Sequence, residues 1–485
     1  PVAPHGDGLE PLGAHHRPHA GPAGERLVRF ACVRHGFKNA AGRTGMGAVM
    51  GSKRLKAIAV RGHRGVPVHD PRGLLGLREE LYRSMSQRKV FPILRTYGTS
   101  FLMDAHQRLG NLGVRNNQQN QMEEGWEALS SVNLKRYSLK MLGCYGCFLH
   151  CRHAHLVPRG PRRGAYAEGP EYFPLNNLGA KTAVYDLELL LEAHDLCNRY
   201  GLDCASAGSV IAWAMELYQR GIIDARAADG LELRWGNGEA LLTLLERIAL
   251  RQGFGDLLAE DGLRAARRIG KGAEDYFVHV KGQSVCSEER GLKGCALNIA
   301  TASRGADHLR SRPVPEGMFL PADFLERLYG GPVSPDPASY EGKALMVTVS
   351  ERWFALADML EVCKFTVRGF FSPHFPGPEQ WAPVVNACTG WGTTPQELEL
   401  AAERAVTLER IFNLREGLSR AHDTLPRRYF EEETRMGPMA GQRIERDRFE
   451  RMLDEYYELH GWDAEGVPRA ETLERLGLEE EAKLI

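Results

Sequence analysis

Three cysteines stand at positions 144, 147 and 151, in the run CYGCFLHC. No other feature limits so strongly what this chain can fold around. In C-x2-C-x3-C a short turn directs three sulfurs into one small volume, and adjacent thiolates repel unless a cation neutralises them. Zinc favours paired C-x2-C units or mixed Cys/His sets, and His150 and His153 could complete such a set. A three-cysteine run with a distant fourth thiol suits a [4Fe–4S] cube, each corner held by one thiolate. Gly146, between the first two cysteines, allows a tight backbone approach. Cys363, beside Lys364 in ADMLEVCKF, is a candidate fourth thiol, in competition with Cys286, Cys295 and Cys388.

The remaining cysteines are scattered singly among 485 residues, and a chain of that length builds cores that need no disulfide staples. Reduced, buried thiols and a cytoplasmic setting are expected. The 62 basic and 62 acidic residues cancel, which removes any pull toward nucleic acid or a charged membrane surface. No apolar run approaches the ~18 residues of a membrane span, and no signal-peptide core is visible. The opening PVAPHGDGLEPLGAHHRPHAG has no period and reads as a loop or as the ragged edge of an incomplete chain; its His15-His16 pair could hold a metal, although a solvated loop is the simpler account.

Residues 21–33 read as a strand after a Gly-Pro turn, and Leu55 to Val60 as another. Between them, glycines 42, 45, 47 and 51 with Arg43 and Lys53 could offer N–H groups and positive charge to phosphates, but the spacing is neither a P-loop nor a dinucleotide fingerprint. A tight glycine turn is the plain alternative. From Asp70 the pattern turns helical. LLGLREELYRSM and DLELLLEAHDLCNRYGLD are amphipathic, the latter ending at Gly201. Ser206 is the expected cap of the next helix. Two helices near 238–251 and 255–268, a strand over 276–280 and a long helix opened by Thr394-Pro395 follow. Boundaries fall near 65 and near 280.

Two further segments carry candidate chemistry. EGPEYF sets Glu168 and Glu171 about a Gly-Pro turn, where a carboxylate could act as a base. TASRGADHLR gathers Arg304, Asp307, His308 and Arg310, and histidine is the side chain best suited to proton exchange near neutral pH.

Taken in order, GRTGMGAVMGSKRLKAIAV, CYGCFLHC, GPEYF, NRYGLD, SRGADHL, EVCKF and FNLREGLSRAHDTLPRR resemble segments of the aldehyde ferredoxin oxidoreductase family, from about residue 21 to beyond 430. The resemblance implies an α+β fold, with a small β-rich N-terminal remnant followed by two mostly α-helical domains. It also implies three parts: 1–65, a remnant of a β-rich pterin-binding domain; 66–280, with the cysteine trio and a first pterin motif; and 281–485, with a second pterin motif and the fourth cluster cysteine. The implied cofactors are a tungsten (or molybdenum) bis-pyranopterin, a [4Fe–4S] cluster and a Mg2+ bridging the pterin phosphates. Cys144, Cys147, Cys151 and Cys363 resemble the cluster ligands. Ala41, Arg43, Gly45 and Gly47 resemble a pterin-binding loop. Asn198, Leu202 and Asp203 match a first D-x-x-G-L-[DC] pterin motif, Asp358, Val362 and Cys363 a second, and Arg310 a basic cofactor contact. Glu171 and His308 resemble an acid/base pair beside the metal.

The chain departs from that pattern. Asn198 replaces an aspartate, and Glu361 and Val362 replace Gly and Leu, so Glu361 requires a changed backbone or an outward side chain. Family members carry a longer N-terminal region than is found here, so the chain is expected to be a fragment, to have a partner polypeptide, or to hold the cofactor incompletely. Three functions follow. The first is oxidation of a small aldehyde to its acid, with electrons passed to ferredoxin or an electron-transfer subunit. The second is a benzoyl-CoA-reductase-like reduction of an aryl-CoA, kept open by the unusual SVCSEERGLKGCALN segment, whose Cys286 or Cys295 could also face the metal. The third is a non-catalytic electron-carrying subunit. A homodimer or hetero-oligomer fits each of these.

Overall fold

A computed structural model describes residues 19–36 and 39–485; His15 and His16 lie outside the described residues. The first segment is a small antiparallel sheet of β1 (His19–Ala20), β2 (Val33–His35) and β3 (Asn39–Ala41), with Arg34 opposite Ala40. Residues 21–33 are not a strand. Pro22 takes the first position of a short helix, α1 (Pro22–Glu25), where its missing N–H costs nothing. The glycine-rich loop opens α2 (Met46–Ser52). Leu55 to Val60 is exposed chain in which only Ala57 bridges to His19. The run is too exposed to need a second sheet neighbour.

Helices α3 (Pro71–Ser86), α4 (Val90–Tyr97), α5 (Phe101–Leu109) and α6 (Ser131–Lys135) lead to a second antiparallel sheet of β4 (Ser138–Leu142), β5 (Arg152–Leu156) and β6 (Tyr166–Glu168). The cysteine trio forms the connection from β4 to β5, so a hairpin holds its two ends in register, with Met141 opposite His153. Next come α7 (Tyr172–Leu178), α8 (Leu187–Tyr200) and α9 (Cys204–Gln219). Asp186 caps α8 by accepting from the Glu188 and Leu189 amides at 3.0 and 3.1 Å, and Gly201 ends it with φ +75°. The cap of α9 is Asp203, not Ser206: the carboxylate accepts the Ser206 amide at 2.9 Å and leaves Ser206 inside the first turn.

The expected helix pair between 238 and 268 is three helices, α10 (Gly238–Leu250), α11 (Phe254–Leu258) and α12 (Gly262–Ile269), because Asp261 starts a further cap. The expected strand over 276–280 shrinks to β7 (His279–Val280), paired with β8 (Gln283–Ser284). Then follow α13 (Lys293–Thr301), α14 (Ala322–Tyr329), α15 (Lys343–Met359), α16 (Pro378–Thr389) and α17 (Pro395–Arg415). In α17, Thr394 and Glu397 bond each other's backbone amides reciprocally, at 2.7 and 3.2 Å. The architecture is α+β, with small sheets near the N-terminus and helices elsewhere.

One hydrophobic core runs from Ala23 to Phe277 and a second from Val278 to Trp462. A third draws Phe91 and Leu149 together with Trp353 and Phe370. Between the first two cores runs a buried polar segment, 284–300. Lys181 bonds the Val285 carbonyl, Asn117 bonds that of Ser287 at 2.7 Å, and Arg290 pairs with Glu288 at 2.8 Å, whereas Glu289 has only Arg312, 3.8 Å away, as a charged partner among the described residues.

Candidate active site

The turn before α7 brings Glu171 inward. Gly169 has φ +106°, a region an L side chain resists, and a Cβ there would lie 2.5 Å from His194 Nε2. Glu171 then stands at the N-cap of α7. The Thr99 hydroxyl donates to its Oε2 and accepts the Tyr172 amide at 2.9 Å. Burial raises the Glu171 pKa, against the opposing Thr99 bond and the Arg152 charge.

His308 approaches from the other side. Its Nδ1 lies 3.7 Å from Cys286 Sγ and 3.8 Å from Asp307 Oδ1, and its ring centroid is 4.1 Å from that of Phe173. Burial drives its pKa well below the usual imidazole value. Asp307 opposes that, and Arg312, Arg43 and Arg304 reinforce it. The ring is therefore neutral at ordinary pH.

A cavity of about 370 Å3 has both groups in its wall, together with Arg43, Asn198, Leu202, Asp203 and Cys286. Arg43, with φ +71°, reaches the Ser284 and Ala306 carbonyls at 2.5 and 2.8 Å and stands 3.6 Å from Asp203. The other proposed pterin residues stand elsewhere. Ala41 pairs with Val33 in the first sheet. A Cβ on Gly45 would lie 2.1 Å from the Arg29 carbonyl oxygen, and one on Gly47 2.4 Å from that of Cys32, so these glycines seat α2 against the preceding chain. Arg310 joins Asp358 at 3.1 Å and also Glu409, and Lys364 joins Asp358 at 2.8 Å. Val362 packs against the second and third cores. Glu361 holds φ +53°, so the left-handed turn is kept without glycine.

The four cysteines gather near this cavity. Cys363 is exposed at the surface, yet the protein packed around its sulfur, with the Cys147 and Cys144 sulfurs and Glu171, pushes the thiol up to about 11, against a Phe365 N–H that opposes it. Cys151 is raised by burial and then by Glu171, Cys363, Cys147 and Cys144. The Leu149 amide donates to Cys147 Sγ at 3.3 Å. Gly146 has φ +67° with open space where a Cβ would stand, so its use here is the left-handed turn rather than close packing. Among the described residues no three His, Cys, Asp or Glu side chains converge tightly enough for a single metal ion. A trio joined by a fourth thiol from a distant segment is the donor set a four-iron cube takes, one thiolate per corner.

The wall also fits an anionic cofactor. Arg43 Nε and Arg152 Nε are buried there without a hydrogen-bond partner among the described residues. Two guanidinium groups with unspent donors suit a negatively charged group, and the Asn198 and Asp203 oxygens could take pterin N–H donors. Sequence reasoning did not single out Thr99 or Arg152. Arg152 follows the trio directly, a signal that could have been read. Thr99 lies 72 positions from its partner and gives none.

Known proteins are similar to this chain in sequence and fold. The family model described as aldehyde ferredoxin oxidoreductase, domains 2 and 3, covers residues 76–478, and that of the family's N-terminal domain covers 18–62. The chain is 36% identical to the tungsten-containing aldehyde ferredoxin oxidoreductase of Pyrococcus furiosus, over 95% of this chain and 73% of that one. It is 28% identical to the aliphatic sulfonate oxidoreductase WOR-like subunit of the same organism, over 95% and 70%. Its fold matches the active-site complex of benzoyl coenzyme A reductase bound to 1,5-dienoyl-CoA, with TM-score 0.78 and 25% identity over 97% and 74% of the two chains. With both family models matched and more than a third of its residues shared with a curated relative, the chain belongs to the aldehyde ferredoxin oxidoreductase family.

Proposed function

We propose that this chain oxidises an aldehyde to a carboxylic acid at a tungsten (or molybdenum) bis-pyranopterin and passes electrons through a [4Fe–4S] cluster to ferredoxin or an electron-transfer subunit. The observation that carries this reading is the meeting of Glu171 and His308 across one cavity, with Cys151 and Cys363 close enough to be perturbed by Glu171. Arg43, Arg152, Asn198 and Asp203 would hold the pterin centre, and the four cysteines the cube. When bound, the metal centre polarises oxygen and takes up the electron pair, and the cube relays electrons singly.

The chain's own residues manage water and protons. Aldehyde plus water gives acid, two electrons and two protons. Glu171 takes a proton from the incoming water; Thr99 holds one carboxylate oxygen in place, and the raised pKa makes the group a stronger base than a surface glutamate. His308 is neutral, and burial keeps Cys286 a thiol. The Cys286 S–H can donate to Nδ1, which fixes the proton on Nε2, ready to donate to the carbonyl oxygen. Phe173, Phe365, Phe370 and Phe371 wall the site with apolar surface that excludes bulk water.

A second reading, reduction of an aryl-CoA, is favoured by the fold match to the benzoyl coenzyme A reductase complex. The three-part division of the chain, the cytoplasmic setting and a Mg2+ at the pterin phosphates belong with the first reading. Among the described residues no helix is long and apolar enough to cross a membrane.

The test is metal analysis of anaerobically purified protein, followed by an aldehyde panel with Glu171→Gln. Iron with tungsten or molybdenum, and a variant slowed by about 100-fold or more, support the reading. Unchanged turnover in the variant removes Glu171 as base. Iron without the heavy metal supports an electron-carrying subunit. Aryl-CoA reduction without aldehyde oxidation supports the second reading.

A further inference from the structure

A second chamber of about 550 Å3 lies against the active-site cavity. Leu102, Phe370 and Phe371 line both, so the partition is one side chain thick. A further pair spans it: His106, on the chamber wall, stacks at 5.0 Å and 15° on Tyr172, the residue after Glu171. The chamber is lined mainly by apolar groups, among them Phe101, Leu109 and Met318. Arg312, on its wall, stands 3.8 Å from Glu289, whose carboxyl burial pushes up to about 7. Ala105, Arg108 and Phe319 are exposed at its edge, which opens it to solvent.

We propose that this chamber is the entry and the binding site for the substrate's body, and that it selects aryl and medium-chain alkyl aldehydes over short ones. The inference rests on the oxidation proposed above and adds to it the class of substrate. Three physical points support it. The volume is within the range of small-molecule sites, and several times the roughly 150 Å3 that encloses one benzene ring. The apolar wall rewards each methylene taken from water. The aldehyde carbon has to reach Glu171 and His308, and Leu102, Phe370 and Phe371 are shared by this chamber and the cavity that holds both.

Phe370 and Phe371 touch each other at 4.6 Å between centroids, and Phe371 reaches Phe101 at 5.9 Å. Rotation of the Phe371 side chain would join the two spaces. A bulky side chain at Ala105 would fill the mouth from an exposed helical position, with little cost to the cores.

The experiment uses metal-loaded protein with straight-chain aldehydes from acetaldehyde to octanal. Fluorescence binding of 2-naphthol to the same protein and to Ala105→Trp is measured alongside. The expected kcat/KM rises about fourfold per methylene, flattens in Ala105→Trp, and 2-naphthol binding weakens at least tenfold in the variant. Oxidation that is indifferent to chain length, with 2-naphthol bound equally by both proteins, overturns the chamber and leaves the oxidation standing. Failure to oxidise any aldehyde overturns the oxidation instead, while 2-naphthol binding lost in Ala105→Trp still supports the chamber. Phe371→Ala gives an independent check: it should raise the relative rate for aldehydes branched near the carbonyl, and an unchanged preference counts against the partition.

Discussion

The Thr99 hydroxyl sits between the Glu171 carboxylate and the Tyr172 amide, donating to one and accepting from the other at 2.9 Å. A single oxygen thus ties the proposed base to the first turn of the helix that carries it. The bond favours the charged carboxylate and works against burial, which raises the pKa.

Thr99→Val removes that donor. The Glu171 pKa should rise further, so the acid limb of the kcat/KM profile moves to higher pH, and turnover at pH 6 falls more than at pH 8. Thr99→Ser should restore the wild-type profile. A profile that does not move in Thr99→Val would separate Glu171 from the acid limb.

Cys363 belongs to the proposed cube, together with the trio. Cys363→Ser should lower bound iron and bleach the broad visible absorption of the cluster while circular dichroism stays helical. The readings are iron per chain and the absorption spectrum. Full iron content in Cys363→Ser would point to another thiol as the fourth ligand.

Arg428 and Glu216 meet in the interior, 2.5 Å apart, and Arg428 also bonds the Asn116 carbonyl. Arg428→Met would leave the Glu216 carboxylate with Arg220 at 2.8 Å and the Asn116 amide at 2.7 Å as its remaining partners. A loss of about 1.5 to 3 kcal/mol in unfolding free energy is expected, read from urea or thermal unfolding. The double variant Arg428→Met/Glu216→Met should recover part of it.

Asp307 is buried, and burial alone would raise its pKa; His308 (in its protonated form only), Arg304, Arg43 and the Leu309 amide hold it down to about 2. Its folded value is depressed, so its contribution is present above the ordinary aspartate pKa of about 4 and is lost as pH falls through about 2. That contribution is roughly 2 to 3 kcal/mol. Urea midpoints between pH 5 and pH 3 should fall less steeply in Asp307→Asn than in the parent, from a lower starting point. Equal slopes would remove Asp307 from the acid sensitivity of the fold.

Local signals proved legible where a cap and an apolar stripe coincide. Asp186 and Gly201 bracket α8, and the Thr394–Glu397 box opens α17, as their spacing requires. The 21–33 stretch misled because a β-rich composition was outweighed by one proline at a helix start. Ser206 looked like a cap because its hydroxyl is a good one, yet Asp203 stands three residues earlier with a carboxylate. At the site, the cysteine run spoke for itself, whereas Glu171 and His308 became specific only beside the other motifs. Thr99, Arg152 and Arg312 act through contacts that the folded chain creates, and periodicity carries no record of those. The second pterin motif is legible as a turn, since Glu361 keeps its left-handed backbone, but its side chains point to an ion network and a core rather than to the cavity wall.

The buried polar seam also sets a schedule for synthesis. Asn117 waits for Ser287, 170 positions on, and the Asn116 carbonyl waits for Arg428, 312 positions on. At 5 to 20 residues per second, those 312 positions take about 15 to 60 s to emerge. Between the emergence of Phe277, which completes the first core, and that of Arg428, the core lacks its polar closure, and the thiols of the trio are already outside the ribosome. The nascent chain is therefore open to oxidation and to chaperones long before its last partner arrives.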